Sequence, residues 1–435
     1  MQIWNETIEC QDRDELGQLQ LERLQSTLNR AYKNVTFYHN CLGEACMDPA
    51  SVRSLDDLRR LPLTSREDLG KNYPYGLFAV PLRDIVRIHT ATGTGSSPTV
   101  SGYTNTDLAM WTEMVARSLT AAGVGVDDII QVCFDPGLAN WARDFKRGAE
   151  AIQASVIPMT PLELPKQVMV MNDYKTSVLV TTPSYARQLV REMDRMSINP
   201  NSLSLRRAVL LGESMSEKSR GSLEVALPVQ IQTAYGLSEV PGPGIAYECR
   251  ERQGLHLNED HFIAEIIDPQ TTDPLAAGET GELVLTTLTA KAFPLIRFRT
   301  GDLASLSAER CSCNRSFTRL HPIQGRADQL VVIRGIKLHP QLIHTIMSRL
   351  CQGKIPAYVG FVGHLEDLDL LEIWMRLDEA CFSDEIKVLE HLVHTVRREL
   401  EQSLGIPARV RLVEPGTMED YSDRLGQIID ERANG

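Results

Sequence analysis

The 435-residue chain has no block of lysine and arginine, and its 45 basic residues are outnumbered by 57 acidic ones, a net charge of −12. That balance argues against a nucleic-acid partner while leaving room for a local basic pocket. No apolar run approaches the ~20 residues a bilayer crossing needs, so no membrane partner is expected. The opening MQIWNETIECQDRDEL is polar and acidic and lacks the apolar core of a secretory signal. Nine cysteines, an odd and mostly scattered set, do not make a disulfide framework. The expected compartment is the cytoplasm.

What is present is ordinary globular composition, 43% hydrophobic and 23% charged. A chain this long exceeds what one core fills, so two or more domains are expected. Leu16, Leu19, Leu24 and Leu28 recur at helical spacing within residues 15–34, and Ser54 and Thr64-Ser65 read as helix starts of purely structural duty. From Ile85 to Leu211 short apolar strands alternate with helical stretches, which predicts βαβ units and a mostly parallel sheet in an α/β fold. Residues 261–303 turn β-rich. Beyond Gly325-Arg326-Ala327-Asp328 the pattern becomes a small α+β domain, with helices near 341–350 and 385–404. The expected division is 1–327 and 328–435, with the hinge at Asp328.

The stretch the rest is organised around is 232–260, QTAYGLSEVPGPGIAYECRERQGLHLNED. A short strand through Ala234 runs into Tyr235-Gly236-Leu237-Ser238-Glu239, and open α/β sheets bind ligands at that edge. An aromatic ring, a hydroxyl and a carboxylate suit a base, a phosphate and Mg²⁺; a plain βα turn with a solvated glutamate is the alternative. Gly212-Glu213-Ser214 ends another strand in the same way. Thr90-Ala91-Thr92-Gly93-Thr94-Gly95-Ser96-Ser97-Pro98-Thr99 follows a strand and can surround a polyphosphate, although it lacks the Gly-Lys-Ser/Thr ending of a Walker A loop. Asp302 after Thr300-Gly301 suits two ribose hydroxyls, and Arg297 or Arg299 can approach phosphates; a salt-bridged turn would look the same. An acid pocket is expected between Phe134–Trp141 and the turns at 212–214 and 234–239. Phe134 and Trp141 are either its walls or core residues.

Taken in order, YGLSEVPGPGIAYEC, GLHLNEDHF, GETGELVLTTLT, PLIRFRTGDL, GRADQLVVIRG and the late QIID resemble the phenylacetate–CoA ligase family of adenylate-forming enzymes, over nearly the whole chain. The resemblance implies a large multi-subdomain N-terminal lobe and a small mobile C-terminal domain. It also implies two half-reactions: an aromatic or similar carboxylic acid attacks ATP to give acyl-AMP, and the thiol of CoA then displaces AMP. By the same resemblance Thr92, Thr94 and Ser96 hold phosphates with Gly93 and Gly95, and Tyr235 lies near adenine beside Gly212, Glu213, Ala234, Gly236 and Ser238. Glu239 binds Mg²⁺, Asp302 takes the ribose, Arg326 lies near the same nucleotide, and Lys337 serves thioester formation. Two departures stand out. Ser96-Ser97-Pro98 replaces the family's Gly-Lys-Pro, and Arg424 replaces the late lysine of adenylation, a change from point charge to planar fork. These leave open a specialised enzyme, transfer to a carrier-protein thiol or amine, or a non-catalytic nucleotide-binding relative. Homodimer formation is left open too. Finally, Cys249-x6-His256 and Cys311-x-Cys313 make a four-ligand set for structural Zn²⁺, similar to a group some of these sequences carry, with a satisfied polar His256 as the alternative.

Overall fold

The computed structural model describes residues 2–91, 98–134, 138–157, 162–240, 242–328, 330–334, 336–350, 355–365, 368–376 and 386–432. The expected phosphate-loop residues Thr92, Gly93, Thr94, Gly95, Ser96 and Ser97 lie outside them. The chain divides into two compact units: Met1–Ala91 with Thr99–Ala327, and a second containing Asp328–Gly435.

The first unit opens with helices α1 (Glu6–Glu9), α2 (Arg13–Asn34), α3 (Thr36–Glu44) and α4 (Arg66–Lys71). Leu16, Leu24 and Leu28 form the buried stripe of α2, as their spacing requires. Ser65 begins α4 with a reciprocal capping box to Asp68. A hairpin, β1 (Arg87–Ala91) with β2 (Thr99–Tyr103), leads to α5 (Asn105–Ala121). Strand and helix then alternate: β3 (Ile129–Val132), α6 (Ala139–Ala151), β4 (Ser155–Ile157), α7 (Leu164–Asp173), β5 (Val178–Thr181), α8 (Pro183–Arg195), β6 (Arg207–Leu211), α9 (Glu217–Ala226) and β7 (Gln230–Tyr235). Strands β5 and β6 are apolar along their length because both faces are covered. Val178, Val180, Val209 and Leu211 enter one core; Leu179, Ala208 and Leu210 enter the other.

The remaining strands of this unit are β8 (Ala246–Glu248), β9 (Leu255–Leu257), β10 (Phe262–Ile267), β11 (Gly281–Thr287), β12 (Phe298–Ala304), β13 (Leu306–Ser307), β14 (Arg319–Leu320) and β15 (Gly325–Arg326). The nine-stranded sheet runs β13-β14-β9-β8-β7-β6-β5-β3-β4. Only its β4-β3-β5-β6-β7 half is parallel; β7, β8, β9, β14 and β13 pair antiparallel. The parallel pairing expected of residues 85–211 holds for β3 to β6, while the strands after β7 make the whole sheet mixed. Among the described residues β7, β8 and β9 are joined without a crossover helix, and strands joined by short loops pair antiparallel. A second, antiparallel sheet has the order β10-β11-β12-β15.

In the second unit β16 (Val331–Ile333) and β17 (Ile336–Leu338) form a hairpin. Helices α10 (Pro340–Leu350) and α11 (Ile386–Leu404) accompany strands β18 (Tyr358–Leu365), β19 (Leu368–Arg376), β20 (Ala408–Val413) and β21 (Ile428–Asp430), in sheet order β20-β19-β18-β21. Its main core joins Val362, Ile373 and Val410 of the sheet to Ile343, Met347, Val396 and Leu400 of the helices.

Candidate active site

Parallel pairing of β6 with β7 sets Leu211 opposite Ala234, so both strands release their chains at one edge. Gly212 there adopts φ +88°, a conformation side chains disfavour. At Gly236 an added Cβ would fall 3.0 Å from the Pro243 Cα and 3.1 Å from the Gly242 carbonyl oxygen. The Trp141 ring lies 3.4 Å from the Cβ position of Gly212 and 3.5 Å from that of Gly236. Trp141 thus floors both turns, while Phe134 packs on Phe145 with centroids 6.3 Å apart. Both Phe134 and Trp141 are core members. Glu213 turns towards α8, accepting from the Ser184 backbone N–H at 2.9 Å and its hydroxyl at 2.5 Å. A carboxylate at a helix N-terminus has that structural use whether or not a nucleotide is near. Ser238 is half-buried in the turn after Gly236.

Tyr235 spans the gap to the second sheet. Its hydroxyl donates to Asp302 at 2.6 Å, and the opposite carboxylate oxygen is paired with Arg326. Strand register produces this meeting, since Asp302 on β12 faces Arg326 on β15. Burial and the Asp302 charge raise the Tyr235 phenol well above its ordinary value, so it stays a proton donor. Arg326 also donates to the Thr300 carbonyl at 2.9 Å. That carbonyl accepts a second guanidinium, Arg66, at 2.5 Å. Arg66 Nε in turn donates at 2.8 Å to Glu239, whose side chain is fully buried. The result is a continuous chain: Tyr235, Asp302, Arg326, the Thr300 carbonyl, Arg66, Glu239. Each buried acid has an arginine beside it, and the two arginines meet at the Thr300 carbonyl, so neither carboxylate lies without a counter-charge.

The cysteine–histidine set converges as well. Cys249 follows β8, His256 lies in β9, and β14 pairs with β9 so that Arg319 faces His256. This brings in the loop carrying Cys311 and Cys313. All four residues are buried and their ligand atoms lie within 4.8 Å of one another. Cys249 Sγ is 3.8 Å from Cys311 Sγ, and Cys313 Sγ is 3.4 Å from His256 Nε2. A tetrahedral Zn²⁺ with ~2.3 Å Zn–S bonds has S···S edges of ~3.8 Å. The His256 Nδ1 atom is buried without a hydrogen-bond partner among the described residues. Hydrogen bonding with Cys249, then His256, lowers the Cys313 thiol; the same bond raises Cys249. Behind the cluster, Arg315 and Glu9 form a fully buried ion pair at 2.5 Å, and Glu9 also accepts from the Tyr247 hydroxyl at 2.8 Å. The first helix is thereby tied to the cysteine loop.

The chain matches the AMP-binding enzyme family over residues 151–289 and the AMP-binding enzyme C-terminal domain over 335–432. It is 37% identical to the phenylacetate–coenzyme A ligase of Thermus thermophilus, over 99% of this chain and 100% of that one. Against the phenylacetate–coenzyme A ligase of Escherichia coli K12 the identity is 36%, over 98% of this chain and 97% of that one. This chain belongs to the phenylacetate–coenzyme A ligase family. It is an AMP-forming ligase that activates a carboxylic acid with ATP and passes the acyl group to coenzyme A. The adenylate-forming fold agrees: a 2-hydroxyisobutyryl-CoA ligase, solved with its acyl-AMP and CoA, superposes with a TM-score of 0.89 at 23% identity, over 98% of this chain and 92% of that one. No helix among the described residues of this ligase is long and apolar enough to cross a membrane.

For Arg297 and Arg299 the structure favours the salt-bridged alternative. Arg297 is buried, paired with Glu265 at 3.0 Å and bonded to the carbonyls of Arg59 and Leu61. Arg299 pairs with Glu282 at 2.6 Å and donates to the Pro269 carbonyl. Arg299 meets Glu282 of the adjoining β11, whereas Arg297, just before β12, reaches past that strand to Glu265 of β10. Arg66 is the converse case, since a helix start read as purely structural carries a cation to Glu239. Its sequence separation from Glu239 leaves no local signal. Lys337 lies on β17 opposite Val332, Arg424 is exposed in the segment Pro415–Arg424, and Asp328 accepts from the Leu330 N–H at 3.2 Å.

Gly236→Ala tests the turn. With backbone atoms 3.0–3.1 Å from the new Cβ, kcat/KM for ATP is expected to fall roughly 5- to 150-fold, the equivalent of ~1–3 kcal/mol of overpacking. Steady-state kinetics check this, and an unchanged value would remove Gly236 from the nucleotide site.

Proposed function

We propose that this ligase activates an aromatic carboxylic acid, with its nucleotide held by the chain from Tyr235 to Glu239. A carboxylate oxygen of the acid attacks the α-phosphorus of ATP, the bond to the bridging oxygen breaks, and pyrophosphate leaves. The CoA sulfur then attacks the acyl carbon, AMP departs and the thiol gives up its proton. Asp302 binds the two ribose hydroxyls, as a buried carboxylate with fixed neighbours can. The Tyr235 ring lies beside adenine while its hydroxyl fixes Asp302, and Arg326 adds a cation near the same nucleotide. Thr92, Thr94 and Ser96, with Gly93 and Gly95, have the hydroxyls and backbone N–H groups for the ATP phosphates. Glu239 offers a hard oxygen for Mg²⁺, which when bound neutralises charge on the transferring phosphate. Arg66 places a second cation at that carboxylate. Gly212 and Gly236 admit the acid by exposing backbone above Trp141, and Phe134 backs that apolar floor. Arg424 serves adenylation and Lys337 thioester formation, with Asp328 as the hinge between the two arrangements. Cys249, His256, Cys311 and Cys313 hold a structural Zn²⁺, a reading supported by their common burial and by the Cys249–Cys311 separation, which matches a tetrahedral edge.

The observation that carries this reading is the Asp302 carboxylate, oriented by Tyr235 on one side and Arg326 on the other. Pyrophosphate release measured with a panel of aryl and alkyl acids tests it. Acid-dependent release that is strongest with aryl acids is expected; ATP binding without release would overturn it. Arg424→Ala is expected to slow acid-dependent ATP–pyrophosphate exchange by roughly 10²-fold, as loss of a donor aimed at transition-state charge does. Arg424→Lys, which keeps the charge, should stay within about tenfold of the natural protein. Equal rates for all three proteins would show that Arg424 has no part in adenylation.

A further inference from the structure

The sheet of the second unit is covered by α10 and α11 on one face only. On the other face stand Phe361 of β18 and Trp374 of β19, ring centroids 4.7 Å apart. Tyr421 packs edge-on against both, 5.2 Å from Phe361 and 6.1 Å from Trp374, each at 83°. Pairs of this geometry contribute beyond the area they bury and hold ring orientation. The platform is itself fixed. The Trp374 indole N–H donates to Glu372 at 2.7 Å, and Arg411 lies 5.5 Å over the indole ring. Val359, Val413 and Met418 close the cluster.

Tyr421 stands where the helical path of Pro415–Arg424 breaks, at φ −120° and ψ 19°. Three residues on is Arg424. The chain beyond it is pinned again: the Gln427 N–H donates to the Arg424 carbonyl at 3.1 Å and the Gly426 N–H to the Tyr358 carbonyl at 2.8 Å. The Gly360 N–H then closes on the Gln427 carbonyl at 2.9 Å. Arg424 is therefore carried on a short span, with a ring in an aromatic slot before it and backbone bonds to β18 after it. The β16–β17 hairpin, on which Lys337 lies, packs instead into the helix-covered core through Val331, Ile333 and Leu338.

We propose that Tyr421 is a positioning residue for adenylation: its ring, packed edge-on against Phe361 and Trp374, fixes where the Arg424 guanidinium is delivered. The inference rests on the reading that Arg424 acts in that half-reaction. An arginine on a loose loop would present its fork over a wide volume, and misplacement by about 1 Å can cost roughly 10²-fold. The ring carries the effect. No hydrogen bond of the Tyr421 hydroxyl is needed.

The test uses the full chain. Tyr421→Ala should lower the kcat of acid-dependent ATP–pyrophosphate exchange by roughly 10- to 100-fold. Thioester formation from a preformed acyl-adenylate and CoA should stay within about twofold. Tyr421→Phe should restore exchange fully, and trypsin should cut after Arg424 faster in the alanine variant but not in the phenylalanine one. Equal losses in both half-reactions would overturn the proposal, reducing Tyr421 to a structural support of the unit. Unchanged exchange in Tyr421→Ala, with Arg424→Ala still slow, would overturn the positioning role alone. Unchanged exchange in both variants would remove Arg424 from adenylation, and this proposal with it.

Discussion

Asp302→Ala is expected to lower kcat/KM for ATP by roughly 10²- to 10³-fold, with ATP binding lost from calorimetry at concentrations that saturate the natural protein. The physical reason is the state in which the substitution leaves its neighbours. Arg326 would keep its place beside the Thr300 carbonyl with the Asp302 charge gone, and the Tyr235 hydroxyl would lose that acceptor. Breaking a buried pair by removing one partner costs ~3–5 kcal/mol. The lower part of that range applies here because the Arg326 side chain keeps 11% exposure. Asp302→Asn separates shape from charge. It retains an acceptor for Tyr235 but not the compensation of Arg326, so an intermediate loss is expected. If Asp302→Ala bound ATP as tightly as the natural protein, the nucleotide would have to sit elsewhere.

On the proposed zinc reading, replacing Cys311 and Cys313 together by serine is expected to abolish bound zinc and lower the melting temperature by about 10 °C. Structural zinc contributes ~10–16 kcal/mol in isolated peptides. A third of that, at ~2–4 °C per kcal/mol for a large domain, gives a fall of this size. The consequence should reach beyond the loop, because Arg315 follows Cys313 closely and holds Glu9 of the first helix. Metal analysis of the purified protein and a thermal scan check both halves, with the exposed Cys46→Ser as control. Zinc content that survives the double substitution would show that these four residues are not the ligands.

Family resemblance and fold class are legible in the chain because they rest on local patterns. The leucine spacing of α2, the capping signal at Ser65 and the apolar runs of β5 and β6 each record their surroundings in a few consecutive residues. The antiparallel half of the large sheet is harder to read. β8, β9, β13 and β14 are two or three residues long, too short for any periodicity to show. Residue types at Tyr235, Glu239 and Asp302 mark a turn-rich edge suited to a ligand, yet type alone cannot separate Asp302 from Glu282. One meets Tyr235 and Arg326 across two sheets; the other neutralises Arg299 beside it.

By itself, then, the order of residues determined the family, the alternation of strand and helix, and which side chains have the chemistry to matter. Partnership was decided only in three dimensions. Strand register set Asp302 against Arg326 and brought Arg319, with the cysteine loop before it, alongside His256. A helix more than a hundred residues upstream supplied Arg66 to Glu239, and two neighbouring rings took the edge of Tyr421. Hydrogen bonds and ion pairs act over a few ångströms, and chain neighbours hundreds of positions apart come that close only when the sheets have formed.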